Sequence, residues 1–124
     1  MNLLISAAKA TDPIERMKYI LAFNISGFGT NSTIWKGKVP LSPGLGETLQ
    51  CEKDGCKIYI EMTDINPPTF NYLIKGPDNL FDLFGYYATI VKMNGTNNIS
   101  GQAIGKNILK FGDGSMFTIV DPGL

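Results

Sequence analysis

Carboxylates are the side chains best suited to acid–base chemistry in this sequence, and Glu47, Glu52, Glu61 and Asp64 lie on or near neighbouring predicted strands. Acid–base catalysis would need two of them in one cleft, whereas carboxylates on strands usually lie on the solvated face. The sequence contains no histidine, which excludes Ser-His-Asp and Cys-His catalysis and every histidine-ligated metal site. We therefore predict that the protein is not an enzyme and has no catalytic residues, no metal and no cofactor.

Two cysteines, Cys51 and Cys56, flank the Lys-Asp-Gly sequence of a predicted hairpin. Two are too few for a disulfide scaffold, and free thiols are typical of a reducing compartment. No segment approaches the roughly 18 apolar residues of a membrane span, and the N-terminus lacks the basic start of a signal peptide. These features predict free thiols, no transmembrane segment and a cytoplasmic location.

The chain of 124 residues contains 11 Lys and Arg residues and 11 Asp and Glu residues, so its charges balance. A net charge of zero argues against nonspecific nucleic-acid binding, which needs a basic field. It also argues against a purely electrostatic hold on anionic membranes. We expect no nucleic-acid partner.

The elements that position these residues follow a simple order. We predict one domain over residues 1–124, helical over 1–27, a loop over 28–46 and about seven consecutive strands over 47–121. Because strands do not alternate with helices, the fold class is α+β, an N-terminal helix followed by an antiparallel β meander. Such a meander leaves open sheet edges, which are an aggregation hazard unless another chain covers them.

The main helix has a clear start. Thr11 or Asp12 can cap it, Pro13 suits its first position and Glu15 lies in its first turn. We expect it to end near Gly27, with Arg16 and the other charged residues outside. Its predicted apolar face comprises Ile14, Met17, Tyr19, Ile20, Leu21 and Phe23.

Glycines mark turns and irregular positions in the predicted strands. The Lys-Asp-Gly sequence before Cys56 predicts a tight hairpin turn, and Gly85 predicts a bulge or a close approach of backbones. The sequences SGQAIG and KNILKFG predict two short strands. The aromatic residues could line a cavity for a hydrophobic ligand, but the pattern favours a core. They are Tyr59, Phe70, Tyr72, Phe81, Phe84, Tyr86 and Tyr87.

A double proline, Pro67 and Pro68, interrupts two alternating stretches in EMTDINPPTFNY. Neither proline can donate a ladder hydrogen bond. The chain therefore makes a sharp turn here, or presents a backbone surface to a ligand.

Three stretches in the right order and spacing make the chain resemble the ligand domain of the oxysterol-binding protein family. AAKATDPIERMKYILAFNISGF is similar to the helix that opens this domain. KVPLSPGLGETL is similar to the family's Lys-Pro-x-Asn-Pro-x-Leu-Gly-Glu-Thr stretch, and EMTDINPPTFNY to its Glu-Gln-Val-Ser-His-His-Pro-Pro fingerprint. Family domains are longer, so the resemblance implies the N-terminal part of an incomplete oxysterol-binding-type β-barrel.

The resemblance also implies a lipid-binding site at the fingerprint positions, where the family's two histidines help to hold a phosphoinositide phosphate. The candidate lipid-binding positions are Lys38, Leu45, Asn66, Pro67 and Pro68, of which the two prolines match the fingerprint. Ile65 and Asn66 replace the histidines, and Val39 replaces the family's basic residue, with Lys38 one position early. None of these three replacements carries a positive charge to pair with phosphate. We therefore expect this chain to keep the turn of the family and to have lost phosphoinositide exchange.

Two functions follow from the resemblance. The first is a structural or interaction subunit of a larger cytoskeletal or organelle-associated assembly, in which other proteins cover the open barrel edge. The alternative is a sterol- or phospholipid-binding or transfer module, alone or completed by another chain.

Overall fold

A computed structural model describes residues 1–34, 43–94 and 98–120, which form two helices and six strands. The elements are α1 (Asn2–Lys9), α2 (Pro13–Ile34), β1 (Thr48–Lys53), β2 (Cys56–Ile65), β3 (Pro68–Lys75), β4 (Phe81–Asn94), β5 (Asn98–Phe111) and β6 (Met116–Ile119), with a short 3₁₀ helix at Pro77–Asn79 before β4. None of the described helices is long and apolar enough to cross a membrane.

The start of α2 confirms the predicted cap, but its end does not match the prediction. The Glu15 backbone N–H donates to the Asp12 carboxylate at 3.0 Å, and Pro13 is the first helical residue. The helix then continues past Gly27 to Ile34, so 28–34 is helical rather than loop. An interior glycine costs a helix only about 1 kcal/mol relative to alanine, and no proline lies between Gly27 and Ile34 to stop it.

The sheet has the predicted meander topology. Its strands pair antiparallel in the order β1-β2-β3-β4-β5-β6, without closing into a barrel in the described part of the chain. Asp54 and Gly55 both have positive φ in the β1–β2 turn (55° and 74°), as a two-residue type I′ hairpin requires.

One continuous β5 replaces the two short strands predicted on either side of Gly105. A Cβ at Gly105 would lie 2.5 Å from the backbone oxygen of Tyr86. The glycine therefore permits a close approach of β4 and β5 and does not end the strand. Gly85 in β4 has the same role, which confirms the close-approach alternative; the β4 pairings show no bulge there.

The core lies where the helices cover one face of the sheet, which we call the inner face. Leu4 and Ala7 of α1 and Ile20 of α2 pack against it. The buried sheet residues of this core are Cys56, Phe81, Leu83, Leu109 and Phe111. Leu83 and Leu109 are directly opposite each other in the β4–β5 ladder, as are Phe81 and Phe111.

The helix packs differently from its predicted amphipathic pattern. Ile20 is buried, whereas Ile14, Met17 and Leu21 are exposed. The prediction that Arg16 lies outside is wrong: its side chain is only 14% exposed and its guanidinium lies 5.0 Å from the centre of the Phe111 ring. A long side chain can bury its stem while its head finds acceptors, which periodicity cannot reveal.

The thiols of Cys51 and Cys56 are both free, as predicted. Cys51 is exposed and Cys56 is buried at the hairpin. Burial raises the pKa of the Cys56 thiol above its ordinary value. Cys56 therefore acts as a small apolar core residue.

Candidate functional site

The double proline forms a tight turn between β2 and β3. The Asn66 N–H donates to the Asp64 carboxylate at 3.0 Å, and the Thr69 hydroxyl donates to the Pro67 carbonyl at 2.9 Å. The Asn66–Pro67 peptide bond is cis. These hydrogen bonds within the turn pair backbone groups that would otherwise need partners in the β-ladder. The predicted turn is confirmed.

The turn also creates a surface. The ladder between β3 and β4 ends at the Thr69–Ala88 pair, while β4 continues to Asn94 with β5 alone. Since neither proline has an N–H, this side of β4 loses its partner at the turn. A groove of about 380 Å³ results, lined by Asn66, Pro67, Pro68, Thr89, Ile90 and Val91.

A bulge between Met62 and Asp64 decides which side chains reach the inner face. Alternation from Met62 would turn Asp64 inward and Ile65 outward. The extra residue reverses this order, so that Ile65 pairs with Pro68 on the inner face and Asp64 pairs with Thr69 on the other. Ile65 is 60% exposed there.

The Leu45 segment docks against β2 near this bulge. Leu45 forms a parallel bridge with Met62, and the Gly46 N–H donates to the Met62 carbonyl at 2.9 Å. Gly46 has a φ of 76°, a conformation that glycine adopts without strain. The Glu47 carboxylate accepts from the Gly44 N–H at 2.7 Å and closes the turn.

Four of the five predicted site residues therefore lie at one end of the sheet. Asn66, Pro67 and Pro68 line the groove, whereas Leu45 lies on the far side of β2 and is not among its lining residues. Lys38 and Val39 lie outside the described residues. The described lining contains no Lys or Arg.

The inner face continues beyond the helices as an uncovered apolar surface, which we call the open apolar face. Tyr87, Val91 and Met93 of β4 and Leu49 of β1 are 45%, 61%, 72% and 51% exposed. The register places further apolar side chains on this face. Its members are Leu49, Ile60, Met62, Ile65, Phe70, Tyr87, Val91 and Met93.

Two aromatic rings stack at the centre of this face. Phe70 and Tyr87 are directly opposite each other and stack with ring centres 5.9 Å apart. The Thr89 hydroxyl donates to the Tyr87 hydroxyl at 2.9 Å. The predicted aromatic set thus divides between the two faces: Phe70, Tyr72, Phe81 and Tyr87 lie on the inner face, and Tyr59, Phe84 and Tyr86 lie on the other.

Charge is almost absent from the inner face. Following the register along the described strands, Lys53 at the β1–β2 turn is its one charged residue. Leu49, Val91 and Met93 were not among the predicted site residues, although the alternation through 87, 89, 91 and 93 is a period-2 signal. Such a surface suits an apolar ligand. No group of acidic or cysteine residues in the described part could hold a metal ion.

Comparisons of the sequence with known proteins point to one family. The family model for oxysterol-binding protein matches residues 1–123. The chain is 32% identical over 118 residues to oxysterol-binding protein 9 of Dictyostelium discoideum, covering 94% of this chain and 27% of that protein. It is 40% identical over 69 residues to human oxysterol-binding protein-related protein 3, covering 54% of this chain and 8% of that protein.

The chain thus spans about a quarter of the length of the Dictyostelium relative. The family model extends over both helices and all six described strands. The turn at Pro67 and Pro68 is the feature that the sequence motifs had led us to expect. The chain belongs to the oxysterol-binding protein family.

Proposed function

We propose that the chain is a non-enzymatic lipid-binding module that holds a sterol or phospholipid against the open apolar face and has lost phosphoinositide recognition. The observation that carries the proposal is the segregation of charge on the described strands. The inner face is apolar and partly uncovered, while the strand charges other than Lys53 lie on the opposite face.

The open apolar face has enough exposed surface to bind a lipid body. Leu49, Tyr87, Val91 and Met93 each expose about half or more of their surface. Covering such partly exposed side chains contributes on the order of 1 kcal/mol each. Large exposed apolar patches rarely remain in contact with water and commonly mark ligand-binding grooves or interaction surfaces.

The same face offers little to a phosphate. Ile65, at a position where the family resemblance leads us to expect histidine, is apolar and faces inward. Asn66 is exposed, and its N–H is bonded to Asp64. Charge-assisted hydrogen bonds to phosphate are roughly twice as strong as neutral ones. Without them, a headgroup phosphate would lose more hydration than it regains.

Substitution on the open apolar face tests where the lipid binds. Val91→Asp places a charge on the inner face, and we expect it to lower uptake of a fluorescent sterol from vesicles about tenfold, the factor that corresponds to about 1.4 kcal/mol. The matched control is Gln102→Asp, which makes the same change of charge on the other face of the β4–β5 ribbon, where Gln102 pairs with Ile90.

Equal sterol uptake by both variants and the unaltered chain would overturn the proposed location. If the unaltered chain takes up no lipid and elutes as an oligomer, the second candidate function is favoured instead. In that case the chain is a subunit whose partner proteins cover the open sheet, in an assembly in the cytoplasm. Two observations support this candidate: β1 and β6 have no outer partner strand among the described residues, and Ile14, Leu21 and Ile25 of α2 are exposed.

A further inference from the structure

The last part of β4, residues 89–94, has a strand on one side only, and we call it the free edge of β4. It pairs with β5 along its whole length. On its other side the β3 ladder ends at Ala88, and no other described strand pairs there. An edge strand presents a row of backbone N–H and C=O groups without a partner. On the free edge these groups face the groove beside Pro67 and Pro68.

The free edge has few of the features that keep a sheet edge from pairing. Thr89, Ile90 and Val91 are β-branched, which favours a strand, and the segment contains neither proline nor glycine. Its one charged residue is Lys92. The ion pairs found in the described part of the chain involve other residues. Long edges with little charge and no proline pair readily with an added strand.

We propose that an extended segment of another protein binds in the groove as an added strand, antiparallel to β4 and in line with β3. The groove has a volume of about 380 Å³. An extended polypeptide offers donors and acceptors at the spacing of the free edge, and these main-chain hydrogen bonds give the affinity. Pro67 and Pro68 close one end of the groove, so the added strand ends there and covers residues 89–93.

The two faces of the free edge specify the side chains of the added strand. Thr89, Val91 and Met93 lie on the inner face, where Val91 and Met93 are 61% and 72% exposed. Ile90 and Lys92 lie on the opposite face. Apolar pairs and pairs of opposite charge stabilise directly opposite positions of a ladder. The partner is therefore a segment of alternating apolar residues with an acidic side chain opposite Lys92.

A second copy of the chain fits the free edge poorly. If two free edges paired antiparallel about Val91, Asn94 of the second copy would lie opposite Ala88, a position that Thr69 occupies. Pairing about Lys92 would place two lysines directly opposite each other, which is unfavourable. The partner is therefore a different protein. Its binding does not require lipid uptake, because it uses the backbone of the free edge.

A fluorescent peptide, Val-Asp-Val-Thr-Val, tests the added strand by fluorescence anisotropy with the full chain. Antiparallel pairing places its Asp opposite Lys92 and its three Val residues on the inner face. The comparison peptide is Val-Lys-Val-Thr-Val. We expect the Asp peptide to bind about fivefold more tightly, the factor that corresponds to about 1 kcal/mol for the charge pair. Lys92→Glu should reverse this preference.

The matched control is Lys106→Glu, which makes the same change of charge on the same face of the sheet, where Lys106 pairs with Tyr86. This variant should keep the preference of the unaltered chain. The Asp peptide should also slow hydrogen exchange of the free edge, because added main-chain hydrogen bonds protect its N–H groups.

A version of the Asp peptide that is N-methylated at two adjacent residues separates strand pairing from adsorption. Alternate N–H groups of a strand point to opposite sides, so one of the two methyl groups must block a hydrogen bond to β4. We expect this peptide not to bind. Equal binding of the methylated and unmethylated peptides would overturn the proposal. So would a failure of the Asp peptide to bind at millimolar concentration, or a Lys92→Glu variant with unchanged preference.

Discussion

Replacing Gly85 by alanine is expected to lower the free energy of unfolding by about 3 kcal/mol. A Cβ added at Gly85 would lie 2.7 Å from the side-chain oxygen of Asn107 and 3.0 Å from its Cα, and would collide with the backbone oxygen of Lys106. The backbone of a paired strand cannot move aside without disturbing its ladder. The hydrogen bond from the Tyr72 hydroxyl to Asn107, 2.5 Å long, would be disturbed with it.

Gly101→Ala is the control for this substitution. Gly101 is also in the β4–β5 ladder, opposite Val91, and a Cβ there would have no atom within 4 Å. We expect a change of less than about 0.5 kcal/mol. Urea unfolding of both variants measures the difference. Two variants of equal stability would show that β4 and β5 do not approach closely at Gly85.

Arg16→Ala is the second substitution with a large expected effect, a loss of about 2–3 kcal/mol in the free energy of unfolding. Its guanidinium donates to the Asp113 carboxylate at 2.7 Å, the Ser115 hydroxyl at 2.8 Å and the Ala10 carbonyl at 2.8 Å. It also lies over the ring of Phe111. These contacts join the start of α2 to the β5–β6 turn, so their loss should loosen the helices from the sheet.

Lys18→Ala is the matched control, because Lys18 is exposed on the same helix. It should change stability by less than about 0.5 kcal/mol. Arg16→Lys should give an intermediate loss, since lysine keeps the charge but not the planar fork of donors. Thermal melts of the three variants measure the order, and an Arg16→Ala variant as stable as Lys18→Ala would contradict the role of Arg16.

The same cluster gives a pH dependence at acidic pH. Hydrogen bonds from the side chain and backbone of Ser115, and then from Arg16, lower the pKa of Asp113 from 3.8 to about 2. Because the folded-state pKa is depressed, this carboxylate stabilises the folded state above pH 3.8. That contribution to the free energy of unfolding is lost as the pH falls through about 2. NMR titration of Asp113 should show its pKa rising only part of the way towards 3.8 in Arg16→Ala, because the hydrogen bonds from Ser115 remain.

Local signals in the sequence predicted the parts of the fold that local chemistry determines. The cap at Asp12, the turn at Asp54 and Gly55, and the turn at Pro67 and Pro68 each depend on a few adjacent residues. Gly27 misled the prediction because a helix can continue through a glycine at a small cost. Gly105 misled it because a glycine can end a strand or permit close packing. Only the partner strand decides which, and for Gly105 that partner is β4.

The candidate site was predicted less completely. The family motifs predict Leu45, Asn66 and the two prolines as site residues, which stays a prediction, and they do not predict the open apolar face. That face depends on register, and the bulge after Met62 reverses which residues point inward. A shift of one residue exchanges Asp64 for Ile65 on the inner face, and no local propensity specifies it. The inward position of Arg16 likewise depends on acceptors that lie far along the chain.

The central claim is that the open apolar face binds a lipid body without selecting a phosphoinositide headgroup. Extraction of a labelled sterol from vesicles, with and without phosphatidylinositol 4-phosphate, tests it most directly. We predict that the chain takes up the sterol and that phosphatidylinositol 4-phosphate does not displace it, because Ile65 and Asn66 provide no charged donor. Selective uptake of phosphatidylinositol 4-phosphate, or its displacement of bound sterol, would contradict the account, as would a chain that extracts no lipid.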